Sequence, residues 1–183
     1  MYYFLAEHAR LNGDQKQCVE HLKTAVGHDP TDADVLIGIY RASEKDPGWR
    51  KETLDLIREA AGEFRDEAIE YERQAAEAPT EGIRAGYHRE LASAHNQLAW
   101  LVSNTEGDYD EALRSSQRSL ELRPETAGYL DTLGRCYYAK GDYKSAVLHQ
   151  SRAAELDPHS VQIRRQLEFF QQALKAAQGQ SKQ

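Results

Sequence analysis

The chain has 183 residues, is 40% hydrophobic and 29% charged, and carries a formal net charge of −7. This is enough apolar material for one domain or a short repeat array, while the acidic balance argues against a nucleic-acid-binding surface, which needs a basic patch or stripe. The apolar runs are too short for a bilayer span, and "MYYFLAEHAR" has neither the basic leader nor the small-residue cleavage site of a secretory signal.

Read in chain order, residues 1–30 hold Leu5-Ala6, Gly13-Asp14, Cys18, Ala25 and Pro30. In "DADVLIGIYRAS" the register is open, because Ile37-Gly38 and Ile39-Tyr40 fit the same pattern. Asp46 is a candidate helix cap with Pro47 in the first turn. From there Leu54, Ile57, Ala61, Phe64, Ala68, Tyr71, Ala75 and Ala78 recur three and four apart, the mark of one long helix ending at Pro79. A second seam follows through Ile83, Tyr87, Leu91, Ala94 and Leu98. Folding back at Pro79 sets Ala68 opposite Leu91 and Tyr71 opposite Tyr87. The stretch 128–158 has Leu130, Leu133 and Tyr137 as one helical stripe, and Gly141-Asp142 as a break. Gly tolerates the left-handed conformation after a helix end, and Asp caps the next start. Ala146, Val147, Ala153 and Leu156 mark the second helix, which Asp157-Pro158 ends. Beyond it, Ile163, Leu167, Phe170 and Leu174 share one face of a last helix.

The chain repeats itself. A slide of 34 residues lands Gly107-Asp108-Tyr109 on Gly141-Asp142-Tyr143, Ala112 on Ala146, Glu121-Leu122 on Glu155-Leu156 and Pro124 on Pro158. A slide of 94 lands Gly13-Asp14 on Gly107-Asp108, Cys18 on Ala112 and Pro30 on Pro124. The turn between Ala99 and Gly107 is one residue longer than that between Gly134 and Gly141.

A 34-residue helix–turn–helix with Leu-Gly, Tyr, Gly-Asp-Tyr, Ala, Ala and Pro in this order resembles the tetratricopeptide repeat, over 126–158, 93–124 and 1–30. The style of "NQLAWLVSNTEGDYDEAL" looks like the C-terminal arrays of larger bacterial proteins. The resemblance implies an all-α, right-handed helical-repeat solenoid of about four helix pairs: 1–30, 31–78, 80–124 and 126–158. The central pair is elongated into a projecting hairpin, and a capping helix at 159–177 keeps the final apolar face from water.

The family's function, binding a peptide segment of a partner on a concave face, is the expectation that follows. Carried over by position, the groove residues are Tyr3, Glu7 and Arg10 in the first pair, Asn96 and Trp100 in the third, and Asp131, Arg135 and Tyr138 in the fourth. One branch of the family grips a carboxylate with Lys and Asn at such positions, and this chain departs from that pattern. No catalytic group, cofactor or metal site is predicted. His88 and His95 lie about two turns apart, too far for one ion, and no His or Cys pair has ligand spacing. Self-association through the projecting arm and the first helix, or a role as the non-catalytic end of a larger protein, are the alternatives. Cys18 and Cys136, read as unpaired apolar-face thiols, fit a cytoplasmic compartment.

Overall fold

Gly-Asp pairs at 13–14 and 141–142 build the same turn. Gly13 (φ 77°) and Gly141 (φ 79°) are left-handed, a conformation glycine adopts at no steric cost. The amide of Asp142 donates to Tyr137 O at 3.0 Å and that of Gly141 to Tyr138 O at 2.9 Å. Asp14 and Gly13 repeat the pattern onto Ala9 O at 2.9 Å and Arg10 O at 3.1 Å. This closes one helix, and the aspartate opens the next: Asp14 accepts from the amide of Gln17 at 3.0 Å and Asp142 from that of Ser145 at 3.1 Å. Each such cap is worth about 1 kcal/mol. The third turn differs, as its extra residue predicts. There Asn104 Nδ2 donates to Trp100 O at 3.0 Å and Thr105 Oγ1 to Leu101 O at 2.7 Å, so side chains cover the helix-end carbonyls before Asp108 caps the next helix.

These features come from a computed structural model in which residues 1–180 are described. Among the described residues there are nine helices and no strand: α1 (Tyr2–Leu11), α2 (Gln15–His28), α3 (Ala33–Ala42), α4 (Pro47–Glu77), α5 (Glu81–Asn104), α6 (Tyr109–Leu122), α7 (Ala127–Ala139), α8 (Tyr143–Leu156) and α9 (Val161–Gln180). The elongated helices stand out: α4 has 31 residues and α5 has 24, against 14 each in α2, α6 and α8. The described residues divide into two compact bodies, residues 1–64 and residues 65–180, and α4 contributes to each.

In the N-terminal body, Ala6 and Ala9 of α1, Cys18, Leu22 and Ala25 of α2, and Val35 and Ile39 of α3 form one buried cluster, flanked by Trp49 of α4. Asp46 accepts from the amides of Gly48 and Trp49 at 3.1 and 3.0 Å and so starts α4 where its Asp-Pro signal predicts. The two glycines in corresponding places, Gly38 and Gly134, are not equivalent in their surroundings. A Cβ on Gly38 would meet Leu22 of the preceding helix, at 2.9 Å from Cδ2, whereas one on Gly134 would meet Gln150 and Ala146 of the following helix.

In the C-terminal body, the second half of α4 packs on α5. Ala68, Leu91 and Ala94 form a buried cluster with Tyr71 against it, which is the Ala68–Leu91 pairing that a fold-back at Pro79 predicts. Ile83 is exposed, so the α5 side of the seam starts one turn later than its spacing suggests. Arg65 of α4 holds Glu111 of α6 through two hydrogen bonds of 2.7 and 2.8 Å, and Glu72 lies 3.5 Å from Arg118. Small residues let the next helices approach: Ala112, Cys136, Ala146 and Ala153 are all fully buried. The Cys136 thiol points at Ala112 O (3.6 Å) and Ala99 O (3.9 Å), joining α5, α6 and α7. Burial pushes that thiol up to about 12. Helix α9 covers α8 with Ile163 and Phe170, while Arg164, Arg165, Glu168, Gln171 and Gln172 face solvent.

Candidate partner-binding surface

Tyr3, Glu7 and Arg10 recur three and four apart on α1 and meet at one cavity. Its volume is about 230 Å³, and α2 and α3 complete the wall with Cys18, Leu22, Asp34, Gly38 and Arg41 among others. Arg10 is bound to Glu7 in a bidentate pair, with Nε at 3.0 Å from Oε1 and Nη2 at 2.8 Å from Oε2. Burial pushes the Tyr3 hydroxyl up to about 12, helped by the carboxylates of Asp34, Glu7 and Asp32 and opposed by Arg41. The hydroxyl is therefore a neutral donor and acceptor at any physiological pH.

Asp34, Gly38 and Arg41 are absent from the sequence-derived set because the register of α3 is open in the sequence. The signal that fixes it is Asp32, whose Oδ1 accepts from the amides of Asp34 and Val35 at 3.0 and 3.1 Å. With α3 starting there, Asp34, Gly38 and Arg41 fall three to four apart on one face.

The other five residues lie in the C-terminal body and have different surroundings. Asn96 and Trp100 are one turn apart on α5 and half-buried. The Asn96 Oδ1 atom is buried with no hydrogen-bond partner among the described residues. Asp131 is turned into the protein. Gln150 Nε2 donates to its Oδ1, as does Gln166 Nε2 at 3.0 Å, and Gln150 also donates to Ile163 O at 3.1 Å. Burial raises the Asp131 carboxyl above the usual range, and the Gln150 hydrogen bond opposes that shift.

Arg135 and Tyr138 are brought together. The guanidinium lies 4.9 Å from the Tyr138 ring centre. That ring stacks on Phe170 of α9 (4.9 Å, 17°) and touches Phe169 and Tyr143 at 5.0 and 5.3 Å. Phe169 is half exposed, so the aromatic cluster has a solvent edge. Gln150, Gln166 and Phe169 carry no motif of their own; the pairing of α8 with α7 brings in Gln150, and the seating of α9 brings in Gln166 and Phe169.

Among the described residues, no group of three or more His, Cys, Asp or Glu could hold a metal ion, and no helix is long and apolar enough to cross a membrane.

Comparison with known proteins bears on this arrangement. Residues 127–160 match the family model described as tetratricopeptide repeat. The chain is 37% identical over 90 residues to the Tonsoku-like protein of Bos taurus, a match that covers 46% of this chain and spans only 6% of that protein. Among solved structures, the TPR domain of P58(IPK) is 16% identical with a TM-score of 0.44 over 97% of this chain and 56% of the other. MamA is 14% identical with a TM-score of 0.39 over 98% of each chain. Tetratricopeptide domains as a class mediate protein–protein interaction and are generally non-catalytic. Residues 127–160, spanning α7 and α8, match a tetratricopeptide repeat, and the same Gly-Asp turn closes α1 onto α2.

Proposed function

We propose that this chain is a non-catalytic recognition module that holds a peptide segment of a partner protein against the first helix of its repeats. The observation that carries the reading is the α1–α3 cavity. Three residues selected by position in the repeat, Tyr3, Glu7 and Arg10, line one concave site together with Asp34 and Arg41. In the second body Arg135 over Tyr138, with half-exposed Phe169 beside it, supplies the residue types of binding hot spots. The two free, buried thiols fit a reducing, cytoplasm-like compartment.

The test is selection of a random twelve-residue peptide library, displayed on phage, against the immobilised full chain. Enriched peptides that bind Arg41→Glu or the Trp100→Ala, Arg135→Glu pair at least tenfold more weakly than the parent support the reading. No enrichment, or undiminished binding to both variants, removes it.

A second reading, self-association, is favoured by one observation. Phe4 and Leu11 lie seven apart on the outward face of α1 and are 75% and 70% exposed. Light scattering over a hundredfold range of concentration tests it, and a constant monomer mass excludes it.

A further inference from the structure

The second half of α4 lies across α5 and reaches α6. Ala68 and Tyr71 sit against Leu91 and Ala94 of α5 and Leu122 of α6. Two ion pairs continue onto α6, Arg65 with Glu111 and Glu72 with Arg118, and all four side chains keep contact with solvent, so neither pair fastens the segment strongly.

His95, the residue after buried Ala94, is half-buried at this junction of three helices. Its Nδ1 atom is buried with no hydrogen-bond partner among the described residues. In the neutral ring that carries its proton on Nε2, Nδ1 is an unpaired acceptor. A second proton turns it into a buried N–H donor with no acceptor and adds a charge to a partly desolvated ring, which costs more than the lone acceptor did. Two charges act on the ring, Arg118 of α6 and Glu72 of α4, and none on α5 itself is among them. Arg118 opposes protonation. Glu72 favours it, but its carboxylate lies 3.5 Å from Arg118 and is shared with that guanidinium, which Glu121 also holds at 2.9 Å. Burial first, and Arg118 second, lower the imidazole from its ordinary value, with Glu72 opposing.

We propose that His95 is a proton-sensitive latch on α4: the neutral ring lets residues 65–77 close over α5, and the protonated ring is accommodated only when that segment lifts and water reaches Nδ1. The closed form binds the proton more weakly than the lifted one. Its advantage is therefore full above the ordinary imidazole value of about 6.5 and falls as the pH drops through that value, until the lowered value of the closed form is passed. Glu111 is held low by its hydrogen bonds to Arg65 and stays charged through this range. Burial lowers His149 as well, but that ring stacks on Tyr137 between α8 and α7, so the readout has to be local to α4. The latch acts whether or not a peptide is bound.

The test is hydrogen exchange of the full chain at pH 7.5 and 5.5, resolved into peptides by mass spectrometry, with each rate divided by that of an unstructured amide at the same pH. In the parent, protection over 65–77 is expected to fall at least threefold at pH 5.5. In His95→Gln, which takes up no proton, it is expected to change by less than that. No loss in the parent, or an equal loss in both chains, overturns the latch. Far-UV circular dichroism and a thermal melt check that His95→Gln is folded. If it is not, the His95 imidazole of the parent is titrated by NMR: a midpoint below about 6.5, with protection of 65–77 lost over the same range, supports the latch, and a midpoint at or above it overturns the proposal.

Discussion

Replacing Gly134 by alanine is expected to destabilise the C-terminal body, against the usual preference of helices. In an open helix interior that exchange stabilises by about 1 kcal/mol, because glycine loses more backbone freedom on folding. At Gly134 the new Cβ would lie 2.7 Å from Gln150 Oε1, 3.2 Å from Ala146 O and 3.4 Å from Phe170 Cε2. Gln150 cannot swing aside cheaply. It is fully buried and its amide holds Asp131 and Ile163 O. Ala146 O is backbone in α8. Overpacking of this kind costs about 1–3 kcal/mol, and each buried hydrogen bond left unmade costs about 1–3 kcal/mol more. Set against the propensity gain, the net loss is about 2 kcal/mol, a fall in melting temperature of roughly 4–8 °C for a chain of this size.

The assay is urea unfolding followed through two tryptophans, since Trp49 belongs to the N-terminal body and Trp100 to the C-terminal one. The Trp100 transition moves to lower urea and the Trp49 transition holds. Gly62→Ala in α4 is the control, because its added Cβ meets nothing within 4 Å, and it is expected to stabilise. A Gly134→Ala chain as stable as the Gly62→Ala chain would refute the reasoning, since it would mean that α7 and α8 are not in close approach there.

Other substitutions test other parts of the account. The folded-state pKa of Asp131 is raised, so its protonated form is favoured by folding. The stability it contributes is present below the unfolded value of about 3.9 and is lost as pH rises through the folded value. Asp131→Asn keeps an acceptor for Gln150 and Gln166 without the buried charge, and its urea midpoint at pH 7 should equal or exceed that of the parent. The advantage should shrink as the pH is lowered toward 4. Arg65 and Glu111 are partly exposed (43% and 26% of the side chain), so a double-mutant cycle to alanine should give a coupling of about 0.5 kcal/mol that falls in 1 M salt. Cys136, with its thiol pushed up to about 12 and no exposed surface, should resist a disulfide reagent at pH 8 until the chain is unfolded. Rapid labelling in the native state would contradict the packing of α7 on α5 and α6.

The sequence by itself determined the local structure. Gly-Asp pairs, Asp-Pro ends and apolar spacing of three and four carry their meaning within a few residues, since a left-handed glycine and a capping carboxylate act on the adjacent backbone. They located the turn at 141–142, the extra residue before Gly107, the start of α4 after Asp46 and the unusual length of α4 and α5. The repeat positions carried over from the family resemblance also put Tyr3, Glu7 and Arg10 on one face of α1. What only the tertiary structure decided is which of the chosen side chains are already occupied and what completes their surroundings. Asp131 is held by Gln150 because α8 packs on α7, and it is held by Gln166, as Tyr138 lies against Phe170, because α9 seats beside them. Asp34 and Arg41 join the α1 residues because α3 crosses at Leu22. Both outcomes depend on contacts between residues far apart in sequence. A helical period states which side chains share a face, but the neighbour that the face meets is set by how separate helices pack.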